Sequence, residues 1–189
     1  NEGEQAIILK FGEPISDKPI DKAGLHFKLP IMNTVHKFEK RILEWDGKPE
    51  EIPTKDNKYI YIDSFARWVI SDPLKFYKSA RNEMIAQSLL DDIIDGAVRN
   101  EITGKVMEEI VRYSDRKMPK DSFDFMNTSE VVDKKLEIII KGARRNITKN
   151  ILFAVSNKLI ELDIGITVID VQLKRIDYNS RVQQDLFNR

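Results

Sequence analysis

Short apolar segments separated by glycine, proline and aspartate fill the first 70 residues, a pattern typical of β-strands joined by turns. Strands are predicted over 4–11 and 24–29, and again over 35–45, where apolar and charged residues roughly alternate. The strongest signal is 58–70, where one face recurs at every second position. This segment is predicted to be a central, buried strand whose inward side chains are Ile60, Ile62, Ser64, Ala66, Trp68 and Ile70.

The pattern changes to a helical period of 3.6 after Asp72-Pro73, where aspartate is a favourable N-cap and proline a favourable first helical residue. A long helix is therefore predicted over 73–112. Gly96 and Gly104 each weaken it by about 1 kcal/mol relative to alanine, which favours a kink or close packing there. Its apolar stripe is predicted to contain Ile85, Leu89, Ile93, Ala97, Val98, Ile102, Val106 and Ile110.

The rest of the chain is predicted to hold a loop, a second long helix, one strand and the start of a third helix. Residues 113–128 have no sustained period and are typical of a loop or insertion. Apolar residues three or four apart over 130–162 indicate a helix that packs along its whole length. A strand follows over 165–176, which must rejoin the early sheet, and the last helix begins near Asn179.

The order of these elements places the chain in the α+β class, because the helices are segregated from the strands rather than alternating with them. The sheet is expected to be mainly antiparallel, built from the N-terminal strands plus one late strand, and accompanied by two long helices. We expect a β-rich subdomain over 1–70, an α/β subdomain over 71–178 and the start of a C-terminal helix over 179–189.

Composition excludes several classes of protein. The chain has 31 basic and 31 acidic residues, so it lacks the broad positive charge that nucleic-acid binding requires. It has no cysteine, which excludes thiolate nucleophiles and Cys-ligated metal sites. Its longest apolar run, Ile151–Val155, is far shorter than the roughly 20 residues of a membrane span. The opening at Asn1 shows no signal-peptide or anchor pattern, and we interpret the sequence as trimmed.

Candidate catalytic and metal-binding groups are sparse. His26 and His36 lie in predicted strands without metal-ligand spacing, and both are expected to be structural or exposed. Asp91, Asp92 and Asp95 lie on the polar side of a predicted amphipathic helix, where solvated charge is a better explanation than a metal site. We therefore expect no catalytic residues, no cofactor and no metal.

A basic cluster lies in the first part of the second predicted long helix. Between 134 and 149 it sets six cations against Glu137 alone. This surface could face an acidic partner, lipid headgroups or water, with a solvated helix face and a subunit interface as the main alternatives. The acidic helix over 91–109 offers a complementary partner in the same or another chain. The six residues are Lys134, Lys135, Lys141, Arg144, Arg145 and Lys149.

Four segments together resemble the band 7 family, also called SPFH for stomatin, prohibitin and flotillin. In order they are 2–12 (EGEQAIILKFG), 24–30 (GLHFKLP), 63–72 (DSFARWVISD) and 162–176 (LDIGITVIDVQLKRI). The resemblance covers nearly the whole chain and is strongest to the bacterial HflC branch. Several separated motifs in the right order are far more specific than one short pattern.

The resemblance implies a non-enzymatic, membrane-anchored scaffold rather than a hydrolase. Members of this branch alternate with the paralogue HflK in a cage around the membrane AAA protease FtsH, and modulate its access to membrane-protein substrates. The anchor would precede this domain, a coiled-coil helix would follow it, and the domain would lie on the periplasmic side of the inner membrane. A stomatin- or prohibitin-like membrane-microdomain scaffold with another client stays open, as does, more remotely, an enzyme with a Ser-Lys arrangement.

Two groups of site residues follow from this resemblance. An apolar hairpin around Pro30, expected near the end that follows the anchor, either belongs to the sheet core or touches lipid headgroups. Its candidate membrane-proximal residues are Leu25, Phe27, Leu29, Ile31 and Met32. The helix beginning near Asn179 would start the oligomer-forming coiled coil and adds Val182, Leu186 and Phe187 to the candidate subunit interface.

Overall fold

The computed structural model describes residues 3–15, 19–20, 24, 28–29, 31–111 and 143–178. In these ranges six strands are followed by four helices and a last strand, and all strand pairs among them are antiparallel. The elements are β1 Glu4–Lys10, β2 Glu13–Pro14, β3 Asn33–Glu39, β4 Leu43–Asp46, β5 Glu50–Pro53, β6 Tyr59–Ile70, α1 Pro73–Ser79, α2 Glu83–Thr103, α3 Met107–Val111, α4 Ala143–Glu161 and β7 Ile166–Tyr178. The predicted α+β class is confirmed.

A three-stranded sheet is formed by β2, β1 and β3, with β1 in the middle. The expected continuity over 35–45 is wrong, because the chain leaves this sheet after Glu39 and enters the second sheet at Leu43. Ile7 and Leu9 of β1 and Phe38 of β3 are buried. Phe38 packs edge-to-face on Phe76 of α1, so this sheet is attached to the helices through aromatic contacts.

A four-stranded sheet is built around β6, as predicted for the central strand. Residues of β6 pair with β4 and β5 along one edge and with β7 along the other, so the late strand rejoins the early sheet. Alternate side chains of β6 are buried because successive residues point to opposite faces. The strand β5 carries no strong period and was not predicted. Register shifts in β7 leave Ile169 and Lys174 as bulge residues.

The helix predicted over 73–112 is wrong as one element, because the structure divides it into α1, α2 and α3. Asp72 caps α1 as predicted, accepting hydrogen bonds from the amides of Leu74 and Lys75. Arg81 then adopts the left-handed region with φ +62, and Asn82 caps a new helix by accepting from the amide of Ile85. The break therefore lies at 80–82, whereas Gly96 lies inside α2 and Gly104 ends it.

The buried face of α2 is displaced by one residue from the predicted stripe over its first four turns. Ala86, Leu90, Ile94, Val98 and Ile102 are buried, whereas Ile85 is exposed and Leu89, Ile93 and Ala97 are only partly buried. Both rows are apolar, so periodicity alone could not separate the row that faces the sheet from the row beside it.

The helix α4 confirms the described part of the second predicted long helix. Ile147, Ile151, Val155 and Leu159 are buried at intervals of four, and α4 packs on β7, α2 and α3. Leu162, predicted to continue this stripe, is exposed in the turn after the helix. The predicted strand over 24–29 and the segments 113–128, 130–142 and 179–189 lie wholly or mostly outside the described residues. The division of the chain at residue 70 stays a prediction.

Gly165 lies where β7, α1 and the end of β6 meet. Its carbonyl accepts hydrogen bonds from the amides of Ser71 and Asp72, and its φ of +78 is in the region that favours glycine. A Cβ at this position would lie 2.4 Å from the carbonyl oxygen of Asp72 and 2.8 Å from the amide nitrogen of Phe76. The close packing of the late strand on α1 therefore requires glycine here.

Candidate functional site

Three large apolar side chains are exposed at one end of the three-stranded sheet. Phe11 is 79% exposed, Leu29 61% and Ile31 95%. We call these three residues the apolar tip. Such exposure is costly in water, so the apolar tip is a candidate contact surface.

Local backbone geometry produces the apolar tip. Pairing of Lys10 with Glu13 leaves Phe11 and Gly12 as the turn between β1 and β2. Both adopt positive φ, +51 and +93, which turns Phe11 away from the sheet. The amide of Asn33 donates to the carbonyl of Leu29 at 3.0 Å, and Asn33 pairs with Lys10. The two turns are therefore neighbours in space.

The apolar tip does not lie near the start of the described chain, contrary to the sequence expectation. Gly3 and Phe11 are at opposite ends of β1, whose seven residues span about 20 Å. Closeness in sequence was misleading because β1 is extended. If the chain near Gly3 and the apolar tip both contacted lipid, β1 would have to lie along the membrane surface.

The structure describes three of the five predicted membrane-proximal residues. Leu29 and Ile31 are exposed and Met32 is half-buried, whereas Leu25 and Phe27 lie outside the described residues. Phe11 was missed by the sequence reasoning because it belongs to the same apolar run as β1. Its position directly before Gly12 was the available signal, since a glycine at the end of a strand pattern marks a turn.

The described part of the basic cluster lies at the start of α4. The guanidinium of Arg144 donates to the backbone carbonyl of Leu173, so this residue fastens α4 to β7. Arg145 and Lys149 are exposed, and further along the helix Phe153 is 70% and Ile160 75% exposed. The other predicted interface residues, Lys134, Lys135, Lys141, Val182, Leu186 and Phe187, lie outside the described residues.

The acidic residues of α2 are used partly within the domain. Asp91 accepts a hydrogen bond of 2.6 Å from the indole nitrogen of Trp45, and Arg99 pairs with Glu50 at 2.7 Å. Burial raises the pKa of Asp95 to about 6, and the nearby carboxylates of Glu50 and Asp91 act in the same direction. Asp92 is exposed.

Metal binding and histidine chemistry are the remaining candidate activities of the described residues. Across the described ranges, no three His, Asp or Glu side chains are grouped closely enough to hold a metal ion. His36 lies in β3 and its ring packs on Tyr77 of α1 at 5.1 Å between centroids. That contact is structural. His26 lies outside the described residues.

Comparison with known proteins identifies the family. The sequence model described as SPFH domain / Band 7 family matches residues 1–189. The chain belongs to the Band 7 family. The predicted resemblance is therefore confirmed.

Several curated proteins are similar to this Band 7 chain over all of its length. "Protein HflC" of Treponema pallidum is 35% identical and "Protein HflC" of Borreliella burgdorferi is 33% identical. "Modulator of FtsH protease HflC" of Escherichia coli is 30% identical. The chain spans 58%, 57% and 60% of these three proteins respectively. Among the described helices, none combines the length and apolar character needed to cross a membrane.

Two of the segments that carry the Band 7 resemblance pair with each other in the structure. Asp63 of β6 lies opposite Arg175 of β7, and Ile70 lies opposite Ile166 at the other end of the ladder. Arg67 and Asp170 add an ion pair of 2.7 Å across the same strands. The two segments thus form one antiparallel ladder, whose Ile70–Ile166 end adjoins Gly165.

Proposed function

We propose that this chain is the globular domain of a non-enzymatic, HflC-like scaffold subunit that regulates an FtsH-like membrane AAA protease. The observation that carries the proposal is the similarity, over the whole chain, to the Escherichia coli protein named as a modulator of FtsH protease. In the proposed assembly the full-length protein alternates with an HflK-like paralogue in a cage around the protease. The cage controls the access of membrane-protein substrates.

A pull-down from native membranes tests the proposed partners. Full-length protein carrying an affinity tag is solubilised in mild detergent, and co-purifying proteins are quantified by mass spectrometry. We expect an FtsH-like protease and an HflK-like paralogue, both absent when an unrelated tagged membrane protein is used. Recovery of a different membrane client in their place would contradict the proposal and support a stomatin- or prohibitin-like scaffold.

We further propose that the protein is a single-pass inner-membrane protein with this domain in the periplasm. The similarity to the HflC proteins supports this placement. Exposed Lys48, in the connection between β4 and β5, offers a site for topology mapping in a domain without cysteine. With Lys48→Cys in the full-length protein, a membrane-impermeant maleimide should label intact cells whose outer membrane is permeabilised. Labelling only after lysis would contradict a periplasmic location.

The apolar tip is proposed to contact the headgroup layer of the bilayer. The exposure of Phe11, Leu29 and Ile31 supports this proposal. Phe11→Ser with Ile31→Ser should abolish flotation of the domain with liposomes at unchanged thermal stability. Phe153→Ser, an equally exposed apolar site on α4, is the matched control and should leave flotation unchanged. Equal flotation of all three proteins would contradict lipid contact through the apolar tip.

Oligomerisation is proposed to depend on the helix that begins near Asn179, with Val182, Leu186 and Phe187. The 189-residue chain alone should be monomeric or weakly associating in analytical ultracentrifugation. A tight, high-order oligomer of this chain alone would contradict the proposal.

A further inference from the structure

Two exposed lysines lie beside the apolar tip, one next to each of its turns. Lys10 directly precedes Phe11, and Lys28 directly precedes Leu29. The Cα atoms of adjacent residues are about 3.8 Å apart, so each lysine side chain starts next to an exposed apolar side chain. This end of the three-stranded sheet therefore combines cationic and apolar groups.

Backbone pairing keeps the two lysines close to each other. Lys10 is the register partner of Asn33 across β1 and β3. The amide of Asn33 donates to the carbonyl of Leu29 at 3.0 Å, and Lys28 is the residue before Leu29. Each lysine is therefore at most one residue away from the contacts that join the two turns, and a single planar surface can meet both.

The two lysines are not neutralised by ion pairs in the described part of the chain. Lys37, further along β3, pairs with Glu4 at 3.0 Å. In contrast, no described carboxylate forms an ion pair with Lys10 or Lys28. Glu13 is the register partner of Lys10 and is exposed, but the two side chains form no ion pair. Two lysines and one glutamate leave one net positive charge beside the tip.

A bilayer with anionic headgroups fits this combination of groups. Apolar side chains gain free energy by entering the boundary between headgroups and acyl chains. A lysine keeps its ammonium at the level of the phosphates while its apolar neighbour lies deeper. Each lysine close to an anionic surface strengthens binding by about fivefold. A zwitterionic surface has no net charge and provides only the apolar part of this attraction.

We infer that the apolar tip binds anionic phospholipids in preference to zwitterionic ones, and that Lys10 and Lys28 provide this preference. The inference rests on the proposed contact between the tip and the headgroup layer, and it deepens that proposal by naming the lipid class. The three apolar residues of the tip contact either kind of lipid. The two lysines distinguish between them, and Glu13 weakens the distinction.

Flotation with two kinds of vesicle tests the inference. The 189-residue chain is mixed at low ionic strength with vesicles of phosphatidylcholine alone, or of phosphatidylcholine and phosphatidylglycerol. We expect binding at least about fivefold tighter to the phosphatidylglycerol vesicles, and loss of this difference in concentrated sodium chloride, which screens charge. Equal binding to both vesicles would overturn the inference and leave the headgroup contact intact. Binding to neither would overturn both.

Charge variants of the tip show which side chains are responsible. Lys10→Gln together with Lys28→Gln should weaken binding to the phosphatidylglycerol vesicles by at least about tenfold and leave binding to phosphatidylcholine unchanged. Glu13→Gln should strengthen binding to the phosphatidylglycerol vesicles by about fivefold, because it removes the negative charge beside the tip. Wild-type affinity of the double lysine variant for the phosphatidylglycerol vesicles would overturn the inference.

The matched control removes the same charge from another surface. Arg145 and Lys149 of α4 are also exposed, about two turns and one turn before the exposed Phe153. Arg145→Gln together with Lys149→Gln should leave binding to both vesicles unchanged. A loss as large as that of the double lysine variant would show that net charge or α4 attracts the lipid, and would overturn the inference. Both double variants should keep the wild-type melting temperature, because all four side chains are exposed.

Discussion

Apolar side chains are buried along the four-stranded sheet but exposed at one end of the three-stranded sheet. Trp45, Trp68 and Ile60 are completely buried, whereas Ile31 is 95% exposed. Trp45 contacts Asp91 of α2, and Trp68 stacks on Phe76 of α1. Both regions are rich in large apolar residues, so composition does not separate them. The difference lies in what covers them: helices pack on one face of the larger sheet, and nothing in the described ranges packs on the apolar tip.

Residues that maintain the fold are therefore distinct from residues that are available for contact. Burial of a large apolar side chain stabilises a protein by about 1.5–3 kcal/mol relative to leaving it exposed. Residues around β6 therefore supply folding energy, while the apolar tip supplies almost none. Substitutions in the two regions should have opposite effects on stability and on contact.

The largest predicted difference concerns two glycines with positive φ, one in each region. Gly165→Ala should destabilise the domain by at least about 4 kcal/mol, because its Cβ would overlap the backbone of α1. Gly12→Ala, beside the apolar tip, should cost only about 1 kcal/mol, because no atom lies within 4 Å of its Cβ. Urea unfolding followed by circular dichroism measures both. Equal losses would contradict the packing described at Gly165.

The next difference concerns two isoleucines. Ile62→Ala, on the buried face of β6, should cost about 3 kcal/mol through lost burial and the cavity left behind. Ile31→Ala, at the apolar tip, should change the free energy of unfolding by less than about 0.5 kcal/mol. Denaturant midpoints of the two variants measure both losses. A loss for Ile31→Ala as large as that for Ile62→Ala would contradict the exposure of Ile31.

A smaller effect is expected at Asp56, which joins the β5–β6 turn to α3. Burial raises its pKa, but hydrogen bonds from Thr54, the Lys58 ammonium and the amide of Met107 outweigh burial and lower it to about 2. The stability it contributes is present above about pH 4 and is lost as the pH falls toward 2. Asp56→Asn should cost about 1 kcal/mol at pH 7 and nothing near pH 2. Glu13→Gln, in the hairpin of the apolar tip, is the control and should leave the free energy of unfolding unchanged at both pH values.

The smallest effect has the opposite sign and concerns Asp95. Because its pKa in the folded state is raised to about 6, the wild-type protein loses stability as the pH rises from about 4 to about 6. Asp95→Asn removes that loss, so it should raise the melting temperature at pH 7.5 and leave it unchanged near pH 3.5. A lower melting temperature at pH 7.5 would show that the Asp95 carboxylate is stabilised by its neighbours.

The sequence predicted those parts of the fold that depend on strict local periodicity. The strand β6 was located because its buried side chains alternate, and α4 because Ile147, Ile151, Val155 and Leu159 recur at intervals of four. The break before α2 was missed because Arg81 carries no conformational signal. Only Asn82, an ordinary N-cap residue, marked the new helix. The split of 35–45 between two sheets depends on long-range pairing and has no local signature.

Candidate surfaces were harder to predict than elements, because exposure depends on what packs nearby. Leu29 and Ile31 were recognised from the apolar hairpin, but Phe11 was assigned to a strand. Phe153 and Ile160 lie in an apolar-rich helix and could be recognised as exposed only after the buried row of α4 was known. Arg144, in contrast, looked like a surface charge and instead donates a hydrogen bond to the backbone of β7.

The proposed regulation of an FtsH-like protease by the full-length protein can be tested in cells. The most direct test is the half-life of an FtsH-dependent membrane protein in cells that lack this protein. We expect the half-life to change on deletion and to return to the wild-type value with the wild-type gene, but not with Gly165→Ala. An unchanged half-life after deletion, with the HflK-like paralogue also removed, would contradict the proposed regulation.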